Sequence, residues 1–457
     1  MKKFFLFFCL ISFLITNLSY AGENSSDSKR LEEPELPLSA SSSQSGNKLN
    51  IHEAIELAVE KNVDLNQIRK DYEIAKNNVK IANRLQNPSF EMDYGIGNTN
   101  KGNPQQIGIS QLIEIGKRSP RKKKAQVELL LSDDIIKAAE FEVKMDVREA
   151  FIRLAAAKSK LKNIHDQKEI ILKLVSISET KIEPNTPDMD IMPSKIVLNQ
   201  FILKENNARA AVLAAKYDFN KALNINRSQE DNTFFDIEDD DLQDDGFVSH
   251  LTPSPKSVMP KFDDVASSAY EKRYDLKIAK NEIEAAKKNL DIIIRQRIPD
   301  IELGGGYAYM SSYQNEGNGM ISGAYAKANL VNLPLLYNYS PEIKNAKLQL
   351  EQAQLRYEST KNKATTSLMS AYEKFIIAQK NLNYYNSDLI SNSKEILKIA
   401  AQNYAQEKSD VTSLVFVQQS YSEIMDAYID SLCNYYISWI NFLREYNDET
   451  LDMNVSL

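Results

Sequence analysis

His52, His165 and His250 are the only histidines, and none sits in the HExxH spacing that puts two imidazoles on one helical face for zinc. No G-x-S-x-G elbow offers a nucleophilic serine. Hydrolytic, nucleophilic and metal chemistry thus lack their residues, and the sequence predicts no enzyme, no cofactor and no metal site. The acidic stretch at 228–246, SQEDNTFFDIEDDDLQDDG, has no Asp-x-Asp-x-Asp-Gly closed by a Glu, so it reads as a solvated linker and not as a calcium loop. Gly304, Gly305 and Gly306 precede no Lys-Ser/Thr pair, so a tightly curved strand explains them better than phosphate binding. What remains is charge placed at chain breaks. Asp188 and Asp190 lie in EPNTPDMDIMP, and Glu407 and Asp410 follow Tyr404 in YAQEKSD. Carboxylates gathered at a constriction favour cations and hold protons more tightly. Asp at such a place also caps a following helix. Both roles stay open at this level. The basic run Lys117, Arg118, Arg121, Lys122, Lys123 and Lys124 fits either anionic lipid headgroups or a solvated helix start.

These residues are set by a duplicated scaffold. Residues 51–92 recur without a gap 211 positions later, and thirteen of the forty-two aligned positions are identical, from Ala58 to Glu91. Leu65, Ile68, Tyr72, Ala75, Val79 and Ala82 step by three and four, as do Leu276, Ala279, Ile283, Ala286, Leu290 and Ile293, so both copies predict heptad helices. Each runs to a proline, Pro88 or Pro299, that ends helical pairing. A second seam, Val143, Val147, Ala150, Leu154, Ala157, Leu161 and Ile164, recurs 221 residues on as Ala364, Leu368, Ala371, Phe375, Ala378, Leu382 and Tyr385. From Arg121 to about Glu179 such a helix would be roughly 90 Å long. The breaks at Pro184 to Pro193 and at Glu407 to Asp410 turn each long helix back on itself, which brings the acidic residues to one end.

After each proline the apolar period drops to two. Phe90, Met92, Tyr94 and Ile96 alternate with Ser89, Glu91, Asp93 and Gly95, and Ile107, Ile109, Ile113 and Ile115 with Gly108, Ser110 and Glu114. Each repeat therefore holds a hairpin of two-faced strands. Strands of about ten residues suit a tilted membrane crossing, with Phe90, Met92, Tyr94 and Ile96 toward lipid and Glu91 toward a lumen. Four strands cannot close a barrel, and an open edge in lipid leaves backbone groups unsatisfied. Several chains must then build one barrel.

Lys2 and Lys3 precede the apolar run 4–18, and Ser19, Tyr20 and Ala21 fit a signal peptidase site, which predicts a cleaved secretory signal at 1–21. Cys9 has no lipobox before it, and after cleavage only Cys433 remains, so no intramolecular disulfide forms. A net charge of −7 argues against nucleic acid as a partner. The expected organisation is a flexible leader at 22–48, a first repeat at 49–227, an acidic linker at 228–261, a second repeat at 262–446 and a tail at 447–457. In each repeat a helix leads to a hairpin, a long helix and a return helix.

The helix ending in proline before a strand, the strand exit QLIEIGKRSP, the second exit LPLLYNYSPEIKNAKLQLEQAQ and the duplicated halves resemble the outer membrane efflux proteins, the TolC family. QLIEIGKRS is most similar to the branch of heavy-metal efflux channels. The resemblance spans residues 49 to about 446. It implies a mainly α fold with a small transmembrane β part: a homotrimer whose long hairpins form a periplasmic α-barrel and whose strands form one 12-stranded β-barrel. It also implies an outer membrane exit duct of a tripartite efflux system, with a periplasmic adaptor (membrane fusion) protein and an inner membrane pump as partners. The cargo would be small molecules or metal cations. A protein-secretion duct and a structural trimeric coiled-coil surface protein are the alternatives; the strands speak against the latter. Two positions depart from the family pattern. Tyr404 is kept, but Glu407 replaces the usual glycine, and Ser413 and Phe416 stand where some members carry paired aspartates.

Overall fold

In the computed structural model, residues 48–94, 104–180, 192–225, 234–237, 259–310, 321–385, 389–406 and 408–448 are described. The predicted signal at 1–21, the leader expected at 22–48 except Lys48, which lies in a strand, and Asp188, Asp190, Glu407 and Ile96 lie outside them.

The first repeat opens with α1 (Ile51–Lys61) and α2 (Val63–Ala82). Asn50 caps α1 reciprocally: its side chain accepts from Glu53 N at 2.9 Å, and Glu53 accepts from Asn50 N at 3.1 Å. Along α2 the seam positions Leu65, Ile68, Tyr72, Ala75, Val79 and Ala82 are buried or half-buried. The heptad thus marks the packed face.

The single helix expected before the first hairpin is interrupted at Asn62, ahead of the seam, although no proline stands there. The Asn62 side chain accepts from Leu65 N at 3.0 Å and donates to Leu223 O at 3.3 Å, while Val63 N donates to Asn224 O at 3.0 Å. The chain thereby exchanges local helical bonds for a tie to the end of α4 (Met192–Leu223). The second repeat breaks at the aligned Arg273, between α5 (Phe262–Lys272) and α6 (Tyr274–Arg295). There the buried guanidinium reaches Glu445 O at 2.6 Å and Glu445 Oε2 at 2.8 Å, near the end of α9 (Val411–Tyr446). Different residues make the same joint.

The strands are β2 (Ser89–Tyr94), β3 (Pro104–Ile113), β5 (Asp300–Met310) and β6 (Ile321–Val331), joined as one antiparallel sheet in the order β2, β3, β5, β6. Pairing of β3 with β5 fuses the two hairpins, and β2 and β6 are its edges. A separate parallel pair joins β1 (Lys48–Leu49) to β4 (Asp236–Ile237). Part of the acidic stretch is therefore docked: Ile237 is fully buried, Asp236 meets Lys158 at 2.8 Å and Lys216 at 2.9 Å, and Asn220 bonds both backbone groups of Phe235. Apolar residues at 234, 235 and 237 supply what the surrounding carboxylates cannot.

The long helix α3 (Arg118–Thr180) has 63 residues, roughly 95 Å at 1.5 Å each. Its counterpart divides into α7 (Ser340–Tyr384) and α8 (Ile390–Ala405). Residues 386–388 lie between these two helices and outside the described ones. On α7 the seam residues Ala364, Leu368, Ala371, Phe375, Ala378 and Leu382 are all buried. The main core joins α1, α3, α4, α7 and α9, with Phe375, Trp439 and Phe442 in ring contact at 5.0 to 6.3 Å.

Candidate functional site

Register divides the sheet into two unlike faces. Phe90 pairs with Ile109, Met92 with Ile107, Ile107 with Tyr307, Gln111 with Leu303 and Ile301 with Leu330. Apart from Gln105 and Gln111 the described side chains of this face are apolar or aromatic, and it is open in the single chain: Phe90 is 68% and Met92 65% exposed. An apolar surface so placed awaits a cover. The other face carries Glu91, Asp93, Gln106, Ser110, Glu302, Tyr325, Lys327 and Asn329. Glu91 accepts from Ser110 Oγ at 2.6 Å and from Lys327 Nζ, and Lys327 lies 3.7 Å from Glu302. The glycines of β5 make this crossing fit: a Cβ on Gly306 would lie 2.1 Å from Ile107 O, and one on Gly304 2.7 Å from Lys327 Cε.

Where sheet meets helices, the basic run does work that the sequence reading assigned to headgroups or solvent. Lys117 pairs with the buried Asp300 at 2.7 Å, Arg118 Nε donates to Asn83 O at 2.7 Å, and Arg121 Nε donates to Ala82 O at 3.0 Å. Arg121 also grips Glu114 at 2.8 and 2.9 Å. The last carbonyls of α2 have no intrahelical donors, and the guanidinium groups supply them. The signal was present as Lys/Arg one element away in sequence, but which carbonyls they would meet depends on the fold.

At the far end of the helices, Ile171 and Val175 of α3, Val197 and Phe201 of α4 and Val411 and Val415 of α9 share one apolar cluster. The described flanks of the two helix breaks are thus packed together. Asp410 is the N-cap of α9, accepting from Ser413 N at 3.4 Å and from Ser413 Oγ. These bonds, the Ser413 hydroxyl first, hold its carboxyl below the usual aspartate range. Tyr404 lies half-buried in the last turn of α8.

Two polar clusters in the helical part escaped the sequence reading. Asn163 donates to Asp426 at 2.9 Å, Gln167 donates to Asn163 at 3.4 Å, and Gln418 donates to Gln167, which forms a buried ladder between α3 and α9. Burial pushes the Asp426 carboxyl up. The second cluster centres on Glu205, whose side chain is 7% exposed and meets Lys168 at 2.7 Å, Arg209 at 2.8 Å and His165 at 3.1 Å. Hydrogen bonds from Lys168 and then His165 hold its carboxyl down to about 2. A usable clue was Gln418, Ser422, Met425 and Ile429 stepping four, three, four along α9, a seam with polar members. Among the described residues no group of three His, Cys, Asp or Glu is placed to hold a metal ion, and no helix is long and apolar enough to cross a membrane.

The sequence model of the outer membrane efflux protein family matches residues 265–444, which hold the second hairpin and its long and return helices. Over that span the chain is similar to the outer membrane efflux proteins. The likeness of fold to solved structures extends over both repeats of this chain. The Campylobacter jejuni CmeC outer membrane channel aligns with a TM-score of 0.69 at 15% identity, covering 96% of each chain. The Neisseria gonorrhoeae MtrE outer membrane channel, in an open state, aligns at 0.67 and 14% identity over 87% of this chain and 89% of its own. CusC, solved in connection with transmembrane channel formation, aligns at 0.69 and 13% identity over 88% and 92%. No curated protein matches the sequence. At these identities the solved structures establish the fold of the chain.

Proposed function

We propose that this protein is the outer membrane exit duct of a tripartite efflux system, exported by a signal at residues 1–21 that is then removed. Three copies close one β-barrel, and their helices continue it as a tunnel through the periplasm. An adaptor and an inner membrane pump deliver small molecules or metal cations to it, and the QLIEIGKRS exit favours metal cations. The observation that carries this reading is the two-faced sheet with unpaired edges β2 and β6, joined to a duplicated set of long helices. In hydrocarbon those edges need partners. The chain extracted from outer membranes is accordingly expected to migrate in mild detergent as a heat-sensitive trimer. A water-soluble monomer would overturn the assembly.

The acidic tip is the proposed closed entrance, where Asp188, Asp190, Glu407 and Asp410 from three copies ring the axis and Tyr404 packs in the closed state. Support comes from the apolar cluster shared by the described flanks of the two helix breaks. Asp410 shows how capping and charge coexist in one side chain. The triple change Asp188→Asn, Asp190→Asn and Asp410→Asn retains capping ability and removes three charges per chain. Single-channel recordings should then show weaker cation selectivity and less block by divalent cations. Unchanged selectivity would leave helix capping as the sole role of these residues.

A further inference from the structure

Between β6 and α7 the chain carries two leucines that touch almost nothing. Leu335 and Leu336 are 82% and 103% exposed, more than any other large apolar side chain among the described residues. Their segment is nevertheless held at both ends. Asn332 takes a left-handed backbone, φ 60°, and donates to Asp300 at 3.1 Å. Tyr339 is also left-handed, φ 57°, while Asn338 O accepts from Arg297 Nε at 2.7 Å and Asn338 Oδ1 accepts from Ser340 N at 3.1 Å. Non-glycine residues adopt this backbone at a cost and only where surroundings fix it. At the apex Leu335 N turns back to Leu333 O at 2.9 Å. The fold thus spends backbone strain to present two bare leucines.

The order of residue types along the segment identifies the surface that takes them. Leu330, on the apolar sheet face, is exposed; exposed Leu333, Leu335 and Leu336 follow. Next come Tyr337 and Tyr339, with rings 5.5 Å apart and the Tyr337 hydroxyl donating to Glu342 at 2.7 Å. The first two turns of α7 then expose Lys344 and Lys347. Apolar, then aromatic, then cationic is the sequence of environments from acyl chain through headgroup to water. A neighbouring copy is the competing occupant, because the segment leaves an edge strand. An interface between copies would not require this graded order.

We propose that residues 333–337 form a foot that inserts Leu335 and Leu336 into the acyl region of the periplasm-facing phospholipid leaflet. Tyr337 and Tyr339 lie at headgroup depth and Lys344 and Lys347 meet the phosphates. The foot fixes the depth at which sheet gives way to helix. This inference rests on the outer membrane reading, and its test separates the two. The trimer carrying Leu336→Trp, and in parallel Leu335→Trp, is reconstituted in phosphatidylethanolamine/phosphatidylglycerol nanodiscs with part of the lipid brominated near the top of the acyl chain. The one native tryptophan, Trp439, is buried in the helical core and provides a constant background. The foot predicts blue-shifted added emission that bromolipid strongly quenches. Red-shifted, water-like emission overturns it, and so does blue-shifted emission that bromolipid leaves intact, which would assign the leucines to a neighbouring copy. Met92→Trp on the sheet face serves as the reference. Quenching there without quenching at 335 or 336 rejects the foot alone, whereas no quenching at any of the three rejects the membrane sheet itself.

Discussion

Met92→Arg is expected to block or weaken trimer assembly by about 2–4 kcal/mol, the cost of a lipid-facing arginine near the bilayer midplane. Met92 stands on an apolar face with Phe90, Ile107, Ile109 and Tyr307 and has no polar neighbour in register to receive a guanidinium. From sequence alone the adjacent Glu91→Arg should be tolerated as a lumenal change. The fold alters that expectation, because Glu91 accepts from Lys327 and an arginine there would face a like charge. Glu91→Gln is therefore the proper control. It keeps the bond to Ser110 and should leave assembly nearly intact. The yield of heat-sensitive trimer for the two variants, measured side by side, checks the faces. Equal loss in both would mean that they are assigned wrongly.

Glu205→Gln is expected to destabilise the helical part by about 2 kcal/mol at neutral pH. The shift from 4.5 to about 2 would correspond to roughly 3 kcal/mol for a fully enclosed carboxylate. Water close to the open sides of this helix pair screens the charges, and Arg209 is largely exposed, so the smaller figure applies. Gln preserves the shape and one acceptor but leaves Lys168, itself mostly buried, without its counter-charge. Folding lowers the proton affinity of Glu205, so its contribution is complete above about pH 4.5 and is lost as pH falls through about 2. Thermal unfolding of wild type and variant should differ clearly at pH 7 and progressively less below pH 4. A difference independent of pH would point to packing and not to charge.

The sequence by itself determined the duplication, the helical seams and the two-faced strands. Each is a local periodicity written in side-chain type: Leu65 to Ala82 repeat at heptad spacing because one helical face is packed, and Phe90 and Met92 alternate with Glu91 because a strand turns each successive side chain to the opposite face. It also placed the return helices, with Pro193 in the first turn of α4 and Asp410 just before α9. Only the tertiary structure decided the rest, since it depends on groups brought together from far along the chain. Asn62 and Arg273 interrupt helices without a proline because the ends of α4 and α9 offer better partners 161 and 172 residues away. Arg118 and Arg121 turn from lipid or solvent candidates into caps for α2 because its carbonyls end beside them. Residues 234–237 leave the solvated linker because a core site and two lysines receive them. Glu205 gains its cations from two separate helices, and Leu335 and Leu336 are presented outward by Asn332 and Asn338 at a joint between sheet and helix. Periodicity records which face of an element is covered; the identity of what covers it is a property of the folded chain.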